Sequence, residues 1–442
     1  MACGGIQSPL EITGLIVILP PGCRGKPAPN KHRMNPELSQ FAARLRGLIP
    51  SLVAAEVTRL HSTVPKGANN EPPHVGCYPD NFSALALELF ALQFKYNSAY
   101  RKICEARQLT PETVKNWTQI PAVPTSAFKE LELTSLAPDE RTAVFHSSGT
   151  TEQKPSRHFH SAESLKMYEA SLIAWFLENV RPDLRFTIYD LRLVCLTPPP
   201  VQVPHSSLVH MFETVRQKLG GASVPAPASP ERLPRREGAS RPEFLGQLDS
   251  AGAWTLDFAA TLAALNSSPV TRHPPLVLGT AFSFVHLLDY LAENNILLRL
   301  PPGSRVMETG GYKNRSRTMP KAEQHALITE RLGVPRENII CEYGMSELSS
   351  QAYDSEIYPP SSIRQPRVFH FPPWARVQII SPETGREVAD GETGLIRIFD
   401  LANVFSVAAI QTEDLGVRRG DGFELIGRAQ LAEPRGCSLM AG

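Results

Sequence analysis

Short runs of apolar residues alternate with longer amphipathic segments through the middle of the chain, and this alternation constrains the fold most strongly. The runs are Leu193 to Leu196, Leu276 to Leu278 and Ile339-Ile340, each followed closely by turn residues. Strands that alternate with helices predict βαβ units and a largely parallel sheet. Ligands of such sheets bind outside the carboxyl ends of the strands, so we expect the chemistry in the loops that follow these runs.

Three segments have the periodicity of helices. A helical pattern opens at Asn35-Pro36, a long amphipathic helix is predicted from Phe82 to Arg107, and a further helix is predicted after Ser161, which is a suitable N-cap. After Pro373 the sequence pattern changes to short runs with alternating apolar and polar residues, and glycine and aspartate separate the runs. These runs predict a small antiparallel β-subdomain, with strands at Arg376 to Ile380, Leu395 to Phe399 and Val404 to Ala408.

Length and charge limit the organisation and the partners. A chain of 442 residues exceeds one ordinary domain, and its 45 Lys and Arg balance 44 Asp and Glu. A net charge of +1 gives no field that favours nucleic acid, so a small ligand is the better expectation. The predicted organisation is a disordered leader at 1–33, an α/β core at 34–370, a β-rich subdomain of the same core at 371–430, and a flexible tail at 431–442. For the leader, an upstream extension before a natural start at Met34 is the alternative interpretation.

Seven cysteines are scattered along the chain without a Cys-x-x-Cys pair. This pattern argues against a disulfide framework and against a structural zinc site, and it favours a reducing compartment. The early apolar run from Leu15 to Leu19 is too short to span a membrane and lacks the charged start of a signal peptide. We therefore predict a cytoplasmic protein without a membrane span.

The strongest local signal is a hydroxyl-rich segment that directly follows the run Ala143-Val144-Phe145. Its phosphate-binding candidates are Ser147, Ser148, Gly149, Thr150, Thr151 and Lys154. Backbone amides, hydroxyls and one ammonium group can together surround a phosphate. The segment lacks the second glycine of the nucleoside-triphosphatase P-loop. A Ser/Thr-rich surface turn is the alternative interpretation.

The segment is similar to the signature loop of adenylate-forming enzymes, the superfamily of acyl-CoA synthetases, peptide-synthetase adenylation domains and luciferases. Four further motifs follow in the order that the superfamily uses: Thr309-Gly310-Gly311-Tyr312-Lys313, Tyr343-Gly344-Met345-Ser346-Glu347, Thr412-Glu413-Asp414-Leu415-Gly416 and Gly427-Arg428. Five ordered motifs over nearly 300 residues are hard to obtain by chance.

Within the superfamily, the chain most resembles the LuxE-type acyl-protein synthetases, with phenylacetate-CoA ligases as more distant relatives. The resemblance extends from about Pro79 to Leu439 and includes Arg435-Gly436-Cys437-Ser438-Leu439. It implies the N-terminal domain of an adenylate-forming enzyme, in which βαβ sheets and helices accompany a small antiparallel β-subdomain. The C-terminal lid domain is predicted to be largely absent, and its catalytic lysine has no counterpart, since Lys321 is the last lysine.

The resemblance implies ATP and Mg²⁺ as cofactors. The loop from Ser147 to Lys154 would hold the β- and γ-phosphates, and Glu347 would bind Mg²⁺; a solvated turn carboxylate is the alternative for Glu347. The order Glu152-Gln153-Lys154-Pro155 departs from the superfamily pattern, which leaves the role of Lys154 open.

The nucleoside would be held by the later motifs. Tyr343 would offer a face to adenine beside Gly310 and Gly311, unless it is a buried structural tyrosine. Asp414 would accept hydrogen bonds from both ribose hydroxyls, unless it only caps a turn. Arg428 would pair with ribose or phosphate oxygen, or form a surface ion pair.

Cys437 is the predicted nucleophile of a second step. It lies beside Gly436 in the tail, and a thiolate there could attack an acyl-adenylate and form a thioester. The predicted reaction is ATP-dependent activation of a carboxylic acid, by resemblance a long-chain fatty acid, followed by transfer to this cysteine and then to a reductase-like protein partner. An acyl- or aryl-CoA ligase is the first alternative, and a non-catalytic nucleotide-binding or scaffold subunit is the second.

Overall fold

The computed structural model describes residues 35–62, 79–147, 154–180, 192–219, 243–266, 274–310, 319–354 and 367–429. All of them belong to one unit, Met34–Gly442. The described helices are α1 (Pro36–Ser62), α2 (Pro79–Tyr96), α3 (Ser98–Ala106), α4 (Ala127–Glu130), α5 (Ala162–Val180), α6 (Ser207–Leu219), α7 (Phe258–Leu265), α8 (Ala281–Glu293) and α9 (Lys321–Leu332). The described strands are β1 (Val123–Pro124), β2 (Ala143–His146), β3 (Arg157–His160), β4 (Arg192–Cys195), β5 (Glu243–Phe244), β6 (Gly246–Leu248), β7 (Trp254–Leu256), β8 (Pro275–Thr280), β9 (Arg305–Thr309), β10 (Ile339–Tyr343), β11 (Ala352–Tyr353), β12 (Ala375–Ile380), β13 (Thr393–Asp400), β14 (Ala409–Arg419) and β15 (Gly422–Arg428).

The larger sheet contains the predicted parallel strands. Its order is β11-β10-β9-β8-β4-β5, and its pairs are parallel except that β11 runs antiparallel to β10. The three apolar runs lie in β4, β8 and β10, which confirms the strand prediction at each. These strands are buried on both faces, as is usual for parallel strands covered by helices.

The second sheet is formed by the C-terminal strands. Each of the strands β12, β13 and β14 pairs antiparallel with the strand that follows it in the chain. The short β1 pairs in parallel with β14 at Ile410 and Gln411, a part of β14 that β15 does not cover. The expectation of a strand at Val404 to Ala408 is wrong, because this segment is a buried turn. The Asn403 side chain donates to the Val407 carbonyl at 3.1 Å, and the turn is closed by the Asp400 amide, which donates to the Ala408 carbonyl at 2.9 Å. Burial alone, without strand pairing, therefore accounts for its apolar residues.

The expected long helix from Phe82 to Arg107 is two helices, α2 and α3, separated at Asn97. The Asn97 side chain accepts a hydrogen bond from the Tyr100 amide at 3.1 Å and so caps the start of α3. Its amide group donates to the Ser406 carbonyl at 3.3 Å in the buried turn described above. A buried polar side chain with partners in two elements therefore sets the break, while the apolar spacing continues across it.

The helix starts predicted at the other two positions are confirmed. The Asn35 side chain accepts from the Glu37 amide at 3.1 Å before α1, and the Ser161 side chain accepts from the Ser164 amide at 3.2 Å before α5. Helix α5 packs against α1 on one side and lies beneath β3, so it supports the strands that carry the hydroxyl-rich segment. Among the described helices, none has the length and apolar character needed to cross a membrane.

Candidate functional site

The hydroxyl-rich segment connects the two strands of a β-hairpin. β2 and β3 pair antiparallel with His146 opposite Arg157, so residues 147–156 form the connection. At its base the Ser147 hydroxyl accepts a hydrogen bond from the Ser156 amide at 3.0 Å. Ser148, Gly149, Thr150 and Thr151 lie outside the described residues, so their phosphate-binding role stays a prediction.

The base of this hairpin loop contacts the predicted metal-binding motif. The hydroxyl oxygens of Ser156 and Ser346 lie 3.5 Å apart, and the Ser346 hydroxyl donates to the Glu347 carboxylate at 3.0 Å. The Asn403 side chain donates to the Glu347 carbonyl at 2.8 Å. Glu347 is only 4% exposed, so it is not the solvated turn carboxylate of the alternative interpretation.

His158 on β3 is a second link between the hairpin and this motif. Its Nδ1 lies 2.8 Å from the Ser346 carbonyl oxygen. Because a carbonyl can only accept, the ring proton is on Nδ1. Burial lowers the pKa of His158 to about 4, which keeps the ring neutral at pH 7. None of the sequence motifs pointed to His158, which orients the turn before Glu347.

Tyr343 ends strand β10 in a cluster of aromatic rings. Its ring contacts those of Phe369, Phe371 and Phe423 edge-on, with centroids 5.2 to 6.3 Å apart, and it is 6% exposed. Its hydroxyl donates to the Asp414 carboxylate at 2.9 Å. Tyr343 therefore has the contacts of a structural tyrosine, and its stacking on adenine stays a prediction.

Asp414 connects this aromatic cluster to the second sheet. It lies on β14 opposite Arg428 of β15, and the Arg428 Nε is 3.7 Å from its second carboxylate oxygen. Burial raises the pKa of Asp414, while the Tyr343 hydroxyl and the Arg428 charge oppose that rise. The Arg428 side chain is 80% exposed, so its guanidinium remains available to a further anion.

The end of β9 lies beside the end of β10. Glu342 is opposite Thr309 in the parallel register, and the Thr309 hydroxyl donates to the Glu342 carboxylate. Burial raises the pKa of Glu342 to about 7. Gly310 follows with φ of +72°, a conformation that favours glycine, and no atom of the described residues lies within 4 Å of the position that a Cβ would take there. The adjacent Gly311 lies outside the described residues.

Lys154 lies near the C-terminal end of the hairpin connection. Its ammonium group is 3.3 Å from the Glu130 carboxylate on α4, and both side chains are more than half exposed. An exposed pair of this kind is weak and leaves the ammonium group free to move to another anion. Cys437, the predicted nucleophile, lies outside the described residues.

The described site residues thus form one connected line. From the hairpin base at Ser147 it passes through Ser156 to Ser346 and Glu347, then along the backbone to Tyr343, and from there to Asp414 and Arg428. Hydroxyl and carboxylate oxygens lie at one end, where they suit phosphate and a hard cation. A carboxylate and an exposed guanidinium lie at the other end, where they suit a sugar hydroxyl and an anion.

Part of the chain matches a known protein family. A family model described as Acyl-protein synthetase, LuxE, matches residues 239–441. This part of the chain is similar to the LuxE-type acyl-protein synthetases. Over 371 residues it is 24% identical to the long-chain-fatty-acid–luciferin-component ligase of Aliivibrio fischeri, covering 80% of this chain and 86% of that protein. The corresponding ligase of Vibrio harveyi is 22% identical over 364 residues, covering 79% of this chain and 84% of that protein.

Solved structures bear on the fold of the chain. A 2-hydroxyisobutyryl-CoA ligase in the postadenylation state, in complex with 2-HIB-AMP, superposes with a TM-score of 0.53 and 14% identity, covering 84% of this chain and 74% of that one. An open conformation of the same ligase gives a TM-score of 0.51, covering 83% and 81%. The predicted α/β fold of adenylate-forming enzymes is confirmed. The boundaries predicted at residues 33, 370 and 430 stay predictions.

Proposed function

We propose that the chain is an ATP-dependent acyl-protein synthetase. It activates a carboxylic acid, of the long-chain fatty acid class, to an acyl-adenylate and then transfers the acyl group to the thiol of Cys437. The connected line from Ser147 through Glu347 to Asp414 and Arg428 is the observation that carries the proposal. It joins four separate sequence motifs in the order in which phosphates, metal and nucleoside follow one another in ATP.

The first step needs positive charge and not a protein base. The carboxylate oxygen of the substrate attacks the α-phosphorus of ATP, the bond from that phosphorus to the bridging oxygen breaks, and pyrophosphate leaves. Because the substrate is already ionised, no side chain has to remove a proton. The protein instead stabilises the negative charge that develops on the phosphates, which preorganised donors can do strongly. The amides and hydroxyls from Ser147 to Thr151 and the ammonium of Lys154 supply such donors.

The oxygen atoms around Glu347 fit the expected Mg²⁺. The carboxylate is buried beside the Ser346 hydroxyl, which in turn lies 3.5 Å from the Ser156 hydroxyl, and a set of oxygen ligands suits this hard cation. Glu347 would hold the ion, which supplies charge neutralisation at the phosphates when it is bound. Ser346 and His158 position the turn that presents the carboxylate.

Asp414 would bind the ribose. A ribose hydroxyl can donate to the carboxylate oxygen that faces Arg428, because the contact between that oxygen and Arg428 is long, 3.7 Å. Tyr343 holds the other oxygen and so fixes the carboxylate in place. Adenine would lie beside Tyr343 and Gly310.

Cys437 would carry the acyl group in the second step. Its thiolate attacks the acyl carbonyl, the bond to AMP breaks, and the thiol proton passes to solvent. Arg435, two residues before it, favours the thiolate form. We further propose that the acyl group passes from the thioester to a reductase-like protein, and that the reaction takes place in the cytoplasm, where a thiol remains reduced.

ATP–pyrophosphate exchange tests the proposal. The purified chain with Mg²⁺ and a long-chain fatty acid should incorporate labelled pyrophosphate into ATP, and omission of the fatty acid should remove the incorporation. Added coenzyme A should not be consumed. Exchange without any carboxylate dependence would reject the synthetase, and formation of acyl-CoA would favour the CoA ligase.

Asp414→Ala should raise the KM for ATP. The variant loses hydrogen bonds to a polar ligand, which are worth about 1.5–3 kcal/mol, so we expect a rise of about tenfold to a hundredfold with a smaller change in kcat. Glu413→Ala is the matched control, because it removes the same charge from an exposed neighbouring side chain. An Asp414→Ala protein that folds and keeps the KM of the Glu413→Ala control would exclude the ribose role.

A further inference from the structure

A second cluster of ligand-type side chains lies behind the nucleotide end of the candidate site. It consists of Glu308 on β9, Cys341 on β10 and His325 on α9, and their donor atoms all lie within 4.8 Å of one another. All three side chains are at least 95% buried. Glu308 and Cys341 are opposite each other in the parallel register, one residue before Thr309 and two before Tyr343. The proposed adenylation chemistry uses none of the three.

The spacing of the three donor atoms is close to that of a tetrahedral zinc site. Cys341 Sγ is 3.6 Å from His325 Nε2, and His325 Nε2 is 3.5 Å from Glu308 Oε1. Zinc bonds of about 2.3 Å to sulfur and about 2.1 Å to nitrogen or oxygen place tetrahedral ligands about 3.4–3.6 Å apart. The distance from Cys341 Sγ to Glu308 Oε1 is shorter, 2.9 Å, as expected for a hydrogen bond from a protonated thiol.

The hydrogen-bonding capacity of the Glu308 carboxylate is only partly used by the described residues. Its Oε1 accepts from Lys321 Nζ and from the Cys341 thiol, whereas its Oε2 has no hydrogen-bond partner among the described residues although it is fully buried. Such an atom is costly unless something binds it. A divalent cation with one thiolate and one carboxylate gives a neutral centre, which suits a buried position.

We propose that Glu308, His325 and Cys341 bind a zinc ion. The combination of sulfur, nitrogen and oxygen donors selects zinc over Mg²⁺ or Ca²⁺, which prefer oxygen alone. On binding, the Cys341 thiol releases its proton to solvent and a water molecule completes the four ligands. The ion would join β9, β10 and α9 directly behind the turn at Gly310.

Two cationic side chains, Lys321 and Arg367, contact the proposed ligands and compete with zinc for them. Lys321 pairs with Glu308, but its side chain is 42% exposed, so its ammonium group can turn into solvent. Arg367 Nη1 lies 3.4 Å from His325 Nδ1, which must carry the ring proton when Nε2 binds metal. If zinc binding places the proton on Nδ1 and this contact is lost, Arg367 keeps its ion pair with Asp354, in which Nε lies 2.6 Å from the carboxylate. Zinc bound to Oε1, the atom whose spacing fits a tetrahedral site, and Lys321 therefore exclude each other at Glu308.

This site differs from the zinc motifs that the sequence seemed to exclude. The spacing of the cysteines argues against a Cys-x-x-Cys site, and that argument does not apply to three ligands of different types. They are separated by 17 and 16 residues in the sequence and are brought together by strand register and by the packing of α9. The sequence therefore contained no local signal for them.

Metal analysis of the full chain tests the proposal. The protein, purified without chelators and equilibrated with one equivalent of zinc, should retain about one zinc per chain after gel filtration. Cys341→Ser and His325→Gln should each weaken zinc binding at least tenfold in competition with a chromophoric chelator. Cys104→Ser and Cys195→Ser, which change buried free cysteines elsewhere, should bind as the wild type does. Retention of less than a tenth of a zinc per chain by the wild type would overturn the site.

Two further measurements separate coordination from general stability. Cobalt-substituted wild-type protein should show a thiolate-to-cobalt charge-transfer band that is lost in Cys341→Ser, and Lys321→Met should bind zinc more tightly because its competitor is gone. Absence of the cobalt band in the wild type overturns the proposal even if the variants fail to fold. Weaker zinc binding by a folded Lys321→Met protein would overturn the competition with Glu308. None of these outcomes depends on acyl-adenylate formation.

Discussion

Glu347→Gln should lower carboxylate-dependent ATP–pyrophosphate exchange about a hundredfold or more. The substitution keeps the size of the side chain and an oxygen that can accept from the Ser346 hydroxyl, but it removes the negative charge that would hold Mg²⁺. Removal of one preorganised charge-stabilising group from an active site commonly costs a factor of this order. Because Glu347 is buried beside the hairpin base, we expect a loss in kcat as well as in the affinity for the metal–ATP complex.

Two control variants make this result interpretable. Glu383→Gln removes a carboxylate from an exposed turn and should exchange pyrophosphate at the wild-type rate. Ser346→Ala keeps the carboxylate but removes the hydroxyl that orients it, so its exchange should fall less than that of Glu347→Gln. Thermal unfolding should show that all three variants are folded. Normal exchange by a folded Glu347→Gln protein would show that this carboxylate does not bind the catalytic metal.

The parallel sheet and the order of the site motifs could be predicted from the sequence because both depend on local patterns. Apolar runs followed by turn residues identified β4, β8 and β10, and the motif that ends in Glu347 was expected at the carboxyl end of such a strand. Local capping chemistry likewise identified the starts of α1 and α5. Each of these features depends on residues that are close together in the chain.

The features that the sequence did not reveal depend on contacts between distant residues. Asn97 ends α2 because it contacts Ser406, 309 residues further along the chain, and Val404 to Ala408 is apolar because it fills the same buried region. The link between Ser156 and Ser346 spans 190 residues, and the link between Tyr343 and Asp414 spans 71. Neither periodicity nor motif spacing in the sequence identifies such pairs. Each motif could therefore be found by itself, whereas the contacts between motifs became visible only in the structure.

Contact information also changes how individual site residues are interpreted. Tyr343 was predicted to present a face to adenine, yet its ring is surrounded by Phe369, Phe371 and Phe423, and its hydroxyl holds Asp414. A side chain in this position can shape a nucleotide site by fixing a carboxylate as well as by stacking. The proposed ribose and adenine roles would therefore be coupled through the hydrogen bond between Tyr343 and Asp414, and a change at Tyr343 should affect both.

The largest qualitative effect is expected from Cys437→Ser, which should separate the two proposed steps. Exchange of pyrophosphate should persist, because formation of the acyl-adenylate does not involve the thiol. Labelled fatty acid should no longer remain on the denatured protein as an adduct that hydroxylamine releases, because the thioester cannot form. In the wild type the same label should require ATP, Mg²⁺ and the fatty acid together.

The matched controls for this experiment are the buried thiols of Cys104 and Cys195. Burial raises the pKa of Cys104 to about 11 and also raises that of Cys195, so neither thiol forms a thiolate readily at neutral pH. Cys104→Ser and Cys195→Ser should therefore keep the full label. If labelling survives in Cys437→Ser, another nucleophile receives the acyl group. If the wild type forms no adduct and acyl-CoA accumulates when coenzyme A is added, the second step is that of a CoA ligase and Cys437 takes no part in it.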